Sequence, residues 1–268
     1  MSIMSDEVYS HGHHTSVTSA HATRRASDSA GYLLEHLSSG MDLLDVGCGP
    51  GSITADFAAL LDPGRVIGMD RSEDVVALAE RTYAGVENLH FRTGNVYDLD
   101  LEDESVDVVH AHQVLQHLTD PVAALREMHR VTRPGGIIAV RDADFHAMAW
   151  YPPTPELDEW METYQRLARS NRAEPDAGRH LLAWAHEAGL AEVEASSSNW
   201  LYATAERRRW HADTWAERVL SSAFADQTLE RGLADRAALE RMAAGWRRWG
   251  ESPDGWFLIP CGELIIRV

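Results

Sequence analysis

One stretch limits the fold before any other. Leu44-Asp45-Val46-Gly47-Cys48-Gly49-Pro50-Gly51 closes a short apolar run over residues 41–46 and opens an amphipathic one over residues 52–61, where Ile53, Phe57, Leu60 and Leu61 share a face. Glycine enters left-handed backbone at little cost and lets the main chain approach a ligand with no Cβ in the way. Glycines on alternate positions between a strand and a helix therefore point to a ligand-binding turn in a parallel α/β sheet.

The downstream pattern agrees. Residues 65–70 read as a second strand. Ser72 is placed to cap the next helix, with Glu73 and Asp74 in its first turn. Residues 89–93 and 106–110 are further strands, Asp120-Pro121 starts a helix, and Arg133-Pro134-Gly135-Gly136 stops it before a fifth strand at 137–142. Ligands in such sheets bind at the carboxyl ends of the strands, which selects the loops after Val46, Asp70, Thr93, His110 and Asp142.

The glycine spacing narrows the ligand. A dinucleotide loop needs G-x-G-x-x-G; here the third glycine comes one place early and Ser52 takes its position. Asp45 would sit poorly beside a pyrophosphate and suits a cationic ligand, such as the amino group and sulfonium of S-adenosylmethionine. Asp70, ending the second strand, can accept from ribose hydroxyls. Asn95, ending the third, can accept from an adenine amino group and donate to a ring nitrogen.

Five motifs in order then resemble the class I S-adenosylmethionine-dependent methyltransferases, most closely the ubiquinone/menaquinone-biosynthesis type. They are Asp45–Gly51, Gly68-Met69-Asp70, Gly94-Asn95-Val96, Val106–His110 and Arg133–Gly136. Asn95 departs from the family, which more often has Asp there. The resemblance implies a Rossmann-like, seven-stranded, mostly parallel sheet with helices on both faces, the last strand antiparallel, and helical insertions capping the substrate. It places Gly47, Cys48, Gly49, Gly51, Arg71, Val96 and Gln113 at the cofactor beside Asp45, Asp70 and Asn95. The loop after the fourth strand would face the methionine part and border the acceptor, making His112 and His117 the candidate catalytic histidines, each with a cofactor contact or a helix hydrogen bond as the alternative, and His112 also a cofactor-binding candidate. Asp142, Asp144 and His146 are expected at the same rim. An N-terminal lid would bring Tyr9, His14 and Arg24 to the cofactor, Arg24 toward its carboxylate. Three histidines within Tyr9–His14 lack a partner at metal-ligand spacing, so no metal is expected.

The organisation expected is a lid and helix over residues 1–40, the helix spanning 26–37; a cofactor core over 41–145; and substrate-shaping helices with closing strands of the same domain over 146–268. All nine tryptophans lie at or after Trp150, as pocket wall or as core. Helices are expected near 157–170, 178–188, 206–225 and 234–249, with strands at 191–198 and 262–268. A net charge of −18 argues against nucleic acid or anionic membrane partners, and Arg207-Arg208-Arg209 reads as a solvated helix face. Cys48 and Cys261 fit neither a disulfide scaffold nor a zinc site. With no signal-like segment, the expectation is a cytoplasmic monomer or homodimer acting on a small, partly apolar methyl acceptor at O, N or C. The other reading is a non-catalytic sensor or partner subunit that binds the same cofactor. Calorimetric titration is expected to show tighter binding of S-adenosylmethionine and S-adenosylhomocysteine than of NAD; the reverse order would overturn the reading of the glycine loop.

Overall fold

The computed structural model describes residues 23–268. Strand β1 (Leu43–Val46), buried throughout, is flanked in parallel by β2 (Val66–Asp70) and β4 (Val106–His112). β3 (Leu89–Thr93) and β5 (Thr132–Ala143) extend the parallel set to the order β3-β2-β1-β4-β5. β8 (Trp256–Arg267) runs antiparallel beside β5, and β7 (Glu192–Tyr202) pairs antiparallel with β8. The expected antiparallel last strand is present. An eighth strand, the three-residue β6 (Ala149–Tyr151), pairs with the start of β8. The sequence does not announce it because it is only three residues long and runs into Pro152-Pro153, which reads as a break.

Period-two alternation sorts the strands into two cores. Leu44, Val46, Val109, Ala111, Ile138 and Val140 meet α5 (Pro121–Val131) and α7 (Ala177–Glu187) through Leu125, Met128, Leu181 and Ala185. Leu43, Val108, Ile137 and Ala139 meet Phe57 and Leu61 of α3 (Ser52–Leu61), with Ala30 and Leu33 beneath. Caps fall where the sequence places them: Val75 N donates to Ser72 Oγ at the start of α4 (Glu73–Thr82), and Ala123 N to Asp120 Oδ1.

Two expected helices are each divided. The one over 26–37 becomes α1 (Ala26–Ser29) and α2 (Gly31–Leu34), the backbone leaving helical space at Ala30, just ahead of a glycine of low helix propensity. The one over 206–225 becomes α8 (Ala205–Ser221) and α9 (Ala223–Glu230). Ser222 ends the first and caps the second, its Oγ accepting from Phe224 N and donating to Arg218 O.

A third core is aromatic. Trp160 and Tyr164 of α6 (Pro155–Ser170), Trp215 of α8, Phe224 of α9, Trp246 and Trp249 of α10 (Arg236–Glu251) and Phe257 of β8 pack together. Trp160 lies edge-on to Trp215 and Trp246, with ring centres 4.5 and 4.8 Å apart. Among the described residues no helix is long and apolar enough to cross a membrane, and no group of three His, Cys, Asp or Glu side chains is placed to hold a metal ion.

Candidate active site

The glycine loop leaves β1 with Gly47, Gly49 and Gly51 at φ of 68°, 54° and 82°. Two of the three are set by packing. A Cβ on Gly47 would lie 2.4 Å from Val114, and one on Gly51 2.6 Å from the Phe91 ring. A Cβ on Gly49 would meet nothing within 4 Å, and that residue lines a cavity of about 860 Å³. The loop is tied to β2 by Cys48 N donating to Met69 O and by Gly49 N donating to Asp70 Oδ2. Burial, then the charges of Asp45 and Asp70, hold the Cys48 thiol above its ordinary pKa, so it stays protonated.

Asp70 accepts at Oδ2 from Gly49 N and at Oδ1 from Ser72 N, both at 3.0 Å. A carboxylate has about four acceptor positions, so this one is oriented by the main chain and keeps capacity facing the cavity. Arg71, exposed, borders the same opening. At the end of β3, Asn95 Oδ1 accepts from Tyr97 N at 3.1 Å, a side-chain turn that fixes the amide beside buried Val96.

The loop after β4 closes the other side. β4 runs two residues beyond expectation, so His112 is its last residue, buried, with its ring 5.4 Å from that of Trp200. Gln113 follows at φ 56°, its N donating to Arg141 O; its Oε1 accepts from Arg24 Nη2 at 2.9 Å. Arg24, 5.0 Å from the centre of the Trp200 ring, thus reaches across the cavity from the N-terminal side. His117 also lines it.

Beyond His112 the same cavity continues along Phe145, Met148, Trp200, Tyr202 and the inward stripe of α8, which carries Arg207, Trp210, His211, Trp215 and Arg218.

Comparison with known proteins gives this arrangement its family. A family model described as a methyltransferase domain matches residues 37–207. The chain is 35% identical over 279 residues to an uncharacterized methyltransferase of Schizosaccharomyces pombe, covering 100% of this chain and 99% of the relative. It is 33% identical over 210 residues to a Mycolicibacterium smegmatis protein named as a probable S-adenosylmethionine-dependent methyltransferase, covering 76% of this chain and 78% of that relative. The chain belongs to the class I S-adenosylmethionine-dependent methyltransferases. The crystal structure of the YcgJ protein of Bacillus subtilis has the same fold, with a TM-score of 0.56 at 20% identity over 89% of this chain and 97% of that one.

The cofactor of the methyltransferase is S-adenosylmethionine, and the residues present fit it. The open side of Gly49 provides a cradle that a Cβ would fill, with Asp70, Asn95 and Val96 on one side of it and Gln113 and Arg24 on the other. Tyr9 and His14 lie outside the described residues.

Several expectations are corrected. Asp45 lines the cavity, yet its carboxylate is engaged within the chain: Oδ2 accepts from Thr54 Oγ1 at 2.6 Å and Oδ1 pairs with His110 Nδ1 at 2.7 Å. Strand alternation turns it under the first turn of α3, where it forms part of the cavity floor. His117 is a poor general base: burial first, then the Arg24 charge, lower its pKa to about 3. Asp142, Asp144 and His146 do not reach the rim. Asp142 is fully buried, with Oδ1 accepting from Gln116 N. Asp144 is paired with Arg179 and caps Ala147. His146 is exposed outside the cavity. The arginine run is also not one solvated face. Arg207 lines the cavity, Arg208 is buried with Nη1 donating to Ala203 O, and Arg209 pairs with Glu251.

Sequence reasoning missed His211 and Arg218. The signal was present: both fall inside the buried stripe of α8 that Ala212, Trp215, Ala216 and Val219 define, where an unexplained polar residue points to a ligand or a buried partner.

Asp70→Ala is expected to weaken binding of S-adenosylhomocysteine by about 1.5–3 kcal/mol in calorimetry, the scale of lost charge-assisted hydrogen bonds; an unchanged dissociation constant in a folded variant would remove Asp70 from the site. Asp142 generates a second expectation. Burial pushes its pKa up to about 8, whereas an unfolded chain titrates it near 4. Between those values the folded chain holds a proton that the unfolded chain has lost, so this residue lowers stability progressively as pH rises from about 4 to 8. Asp142→Asn should flatten that slope in urea titrations and raise stability at pH 8 relative to the parent. An equal slope in both proteins would place the carboxyl in a more polar setting.

Proposed function

We propose that this methyltransferase acts on a small, partly apolar acceptor held between the loop after β4 and the wall formed by β7 and α8. The carrying observation is the continuity of one cavity of about 860 Å³ from Gly49, Asp70 and Asn95 to Tyr202, Trp210 and Trp215. That volume is within the range of sites that enclose drug-sized ligands. When bound, the cofactor supplies an electrophilic methyl group on a sulfonium.

The chain's own residues then divide the work. Asp70 holds the ribose, Asn95 and Val96 the base, and Gln113 with Arg24 the amino-acid end. Cys48 and Arg71 border the cofactor, and Gly47 and Gly51 give the loop its shape. His112 stands where the two halves of the cavity join and orients the acceptor, with Trp200 against its ring. Alignment of reacting groups is the main demand in methyl transfer, and a displacement of about 1 Å can cost on the order of 10²-fold in rate.

The test is incubation with methyl-labelled S-adenosylmethionine and a fractionated metabolite extract. Label should enter a small molecule, and His112→Ala should lower that transfer by about 10²-fold while affecting cofactor affinity less. Label confined to protein or nucleic acid would overturn the reading. Tight cofactor binding with no transfer to any fraction would favour a cofactor-binding partner subunit.

A further inference from the structure

The acceptor half of the cavity has its own charge pattern. α8 turns Arg207, His211, Thr214, Trp215 and Arg218 toward the cavity at helical spacing. Arg207 lies 5.2 Å from the centre of the Tyr202 ring, Arg218 5.2 Å from that of Trp215, and Arg24 5.0 Å from that of Trp200. Three aromatic side chains of this wall thus each carry a guanidinium. Arg207 is exposed at the mouth, whereas Arg218 is only 8% exposed, so the positive charge extends from rim to interior.

Among the described residues, the carboxylates that line the cavity are Asp28, Asp45, Asp70 and Glu206. Asp45 is bonded to Thr54 and His110, and Asp70 to Gly49 N and Ser72 N. Asp28 accepts from Arg25 N and Ser29 Oγ. Glu206, beside Arg207, is exposed.

Between Arg207 and Arg218 of α8 sits His211. It is 4% exposed, its ring is stacked 3.9 Å from the Tyr202 ring centre, and its buried Nε2 has no hydrogen-bond partner among the described residues. Burial first, then the charges of Arg218 and Arg207, push its pKa well below the ordinary histidine range. The ring is therefore neutral, with one nitrogen able to donate and the other to accept. A buried polar group left unbonded is unfavourable, and a ligand oxygen in this half of the cavity can meet it.

We infer that the acceptor is an organic acid, a planar apolar molecule whose ionised carboxylate or phenolate oxygen lies between Arg207 and Arg218 and takes a hydrogen bond from His211. This rests on the reading of this half as the acceptor site. A protonated amine is excluded by like charge. An acceptor that is already ionised needs no proton removed, which suits a site where burial holds His117 and His211 neutral and weakly basic.

The test uses the full chain saturated with S-adenosylhomocysteine and four probes of one shape: 2-naphthoate, 2-naphthol, 2-naphthamide and 2-naphthylmethylamine. Affinity is read by calorimetry and by quenching of tryptophan fluorescence. One of the two acids should bind at least about tenfold more tightly than the amide, and the amine most weakly, as charge-assisted bonding requires. The naphthoate and naphthol arms decide between carboxylate and phenolate. Arg207→Gln and Arg218→Gln should erase the preference for the acid while leaving the amide's affinity unchanged. If Arg218→Gln does not fold, the exposed Arg207 carries the test. His211→Phe, which keeps the stacking on Tyr202, should weaken the acid alone. Equal or tighter binding of the amide or amine would overturn the inference. Failure of S-adenosylhomocysteine itself to bind would instead count against the cofactor site.

Discussion

The bond from Gly49 N to Asp70 Oδ2 ties the end of β1 to the end of β2, and much of the site depends on it. It is charge-assisted, and it holds a left-handed glycine in the conformation that keeps its open side toward the cavity. The same carboxylate takes Ser72 N with its other oxygen and so also sets the start of α4. One side chain thus shapes the glycine loop, fixes the helix that follows β2 and still offers acceptor capacity to a ligand. The close packing of Val114 on Gly47 and of Phe91 on Gly51 leaves the loop little alternative, so the cradle is formed by the fold itself.

A buried polar layer lies beneath that loop. Asp45 joins Thr54 and His110, and the His110 ring lies 5.0 Å from Phe57 and parallel to His112. Arg141 pairs with Glu263, which accepts from Ser196 and Ser198, and its guanidinium stands 4.4 Å from the Trp200 ring centre. These groups lie between the glycine loop and the wall formed by β7 and α8. Their mutual bonding offsets part of the desolvation penalty that isolated buried charges would carry.

Much of this was legible in the sequence because its causes are local. Ser72 and Asp120 announce helix starts, glycines announce turns, and strand periodicity announces the sheet. The roles that escaped depend on residues far apart in the chain. Asp45 reads as a free carboxylate until His110, 65 positions away, is seen at 2.7 Å. Asp142 reads as a rim residue until the turn Leu115–His117 is found folded over it. Arg207 reads as helix surface, and His211 passes without notice, because their cavity exists only once β7 and α8 are packed together. Single positions do not reveal this, although two polar residues inside the apolar stripe of α8 give a partial warning.

The aromatic core has a consequence for how such a chain can diversify. Trp160, Trp246, Trp249 and Phe257 form a cluster separate from the two cores that clamp the parallel strands. β8 spans both regions, its Phe257 in the aromatic cluster and its Leu264 and Ile266 in a sheet core. Substitutions far apart with no shared partners add nearly independently. Exchanges along the inward stripe of α8 therefore perturb that end of the cavity without passing strain to Gly49 or Asp70. One end of the cavity can therefore change its lining over generations while the glycine-loop end stays under unchanged selection, because the two ends rest on different packed foundations.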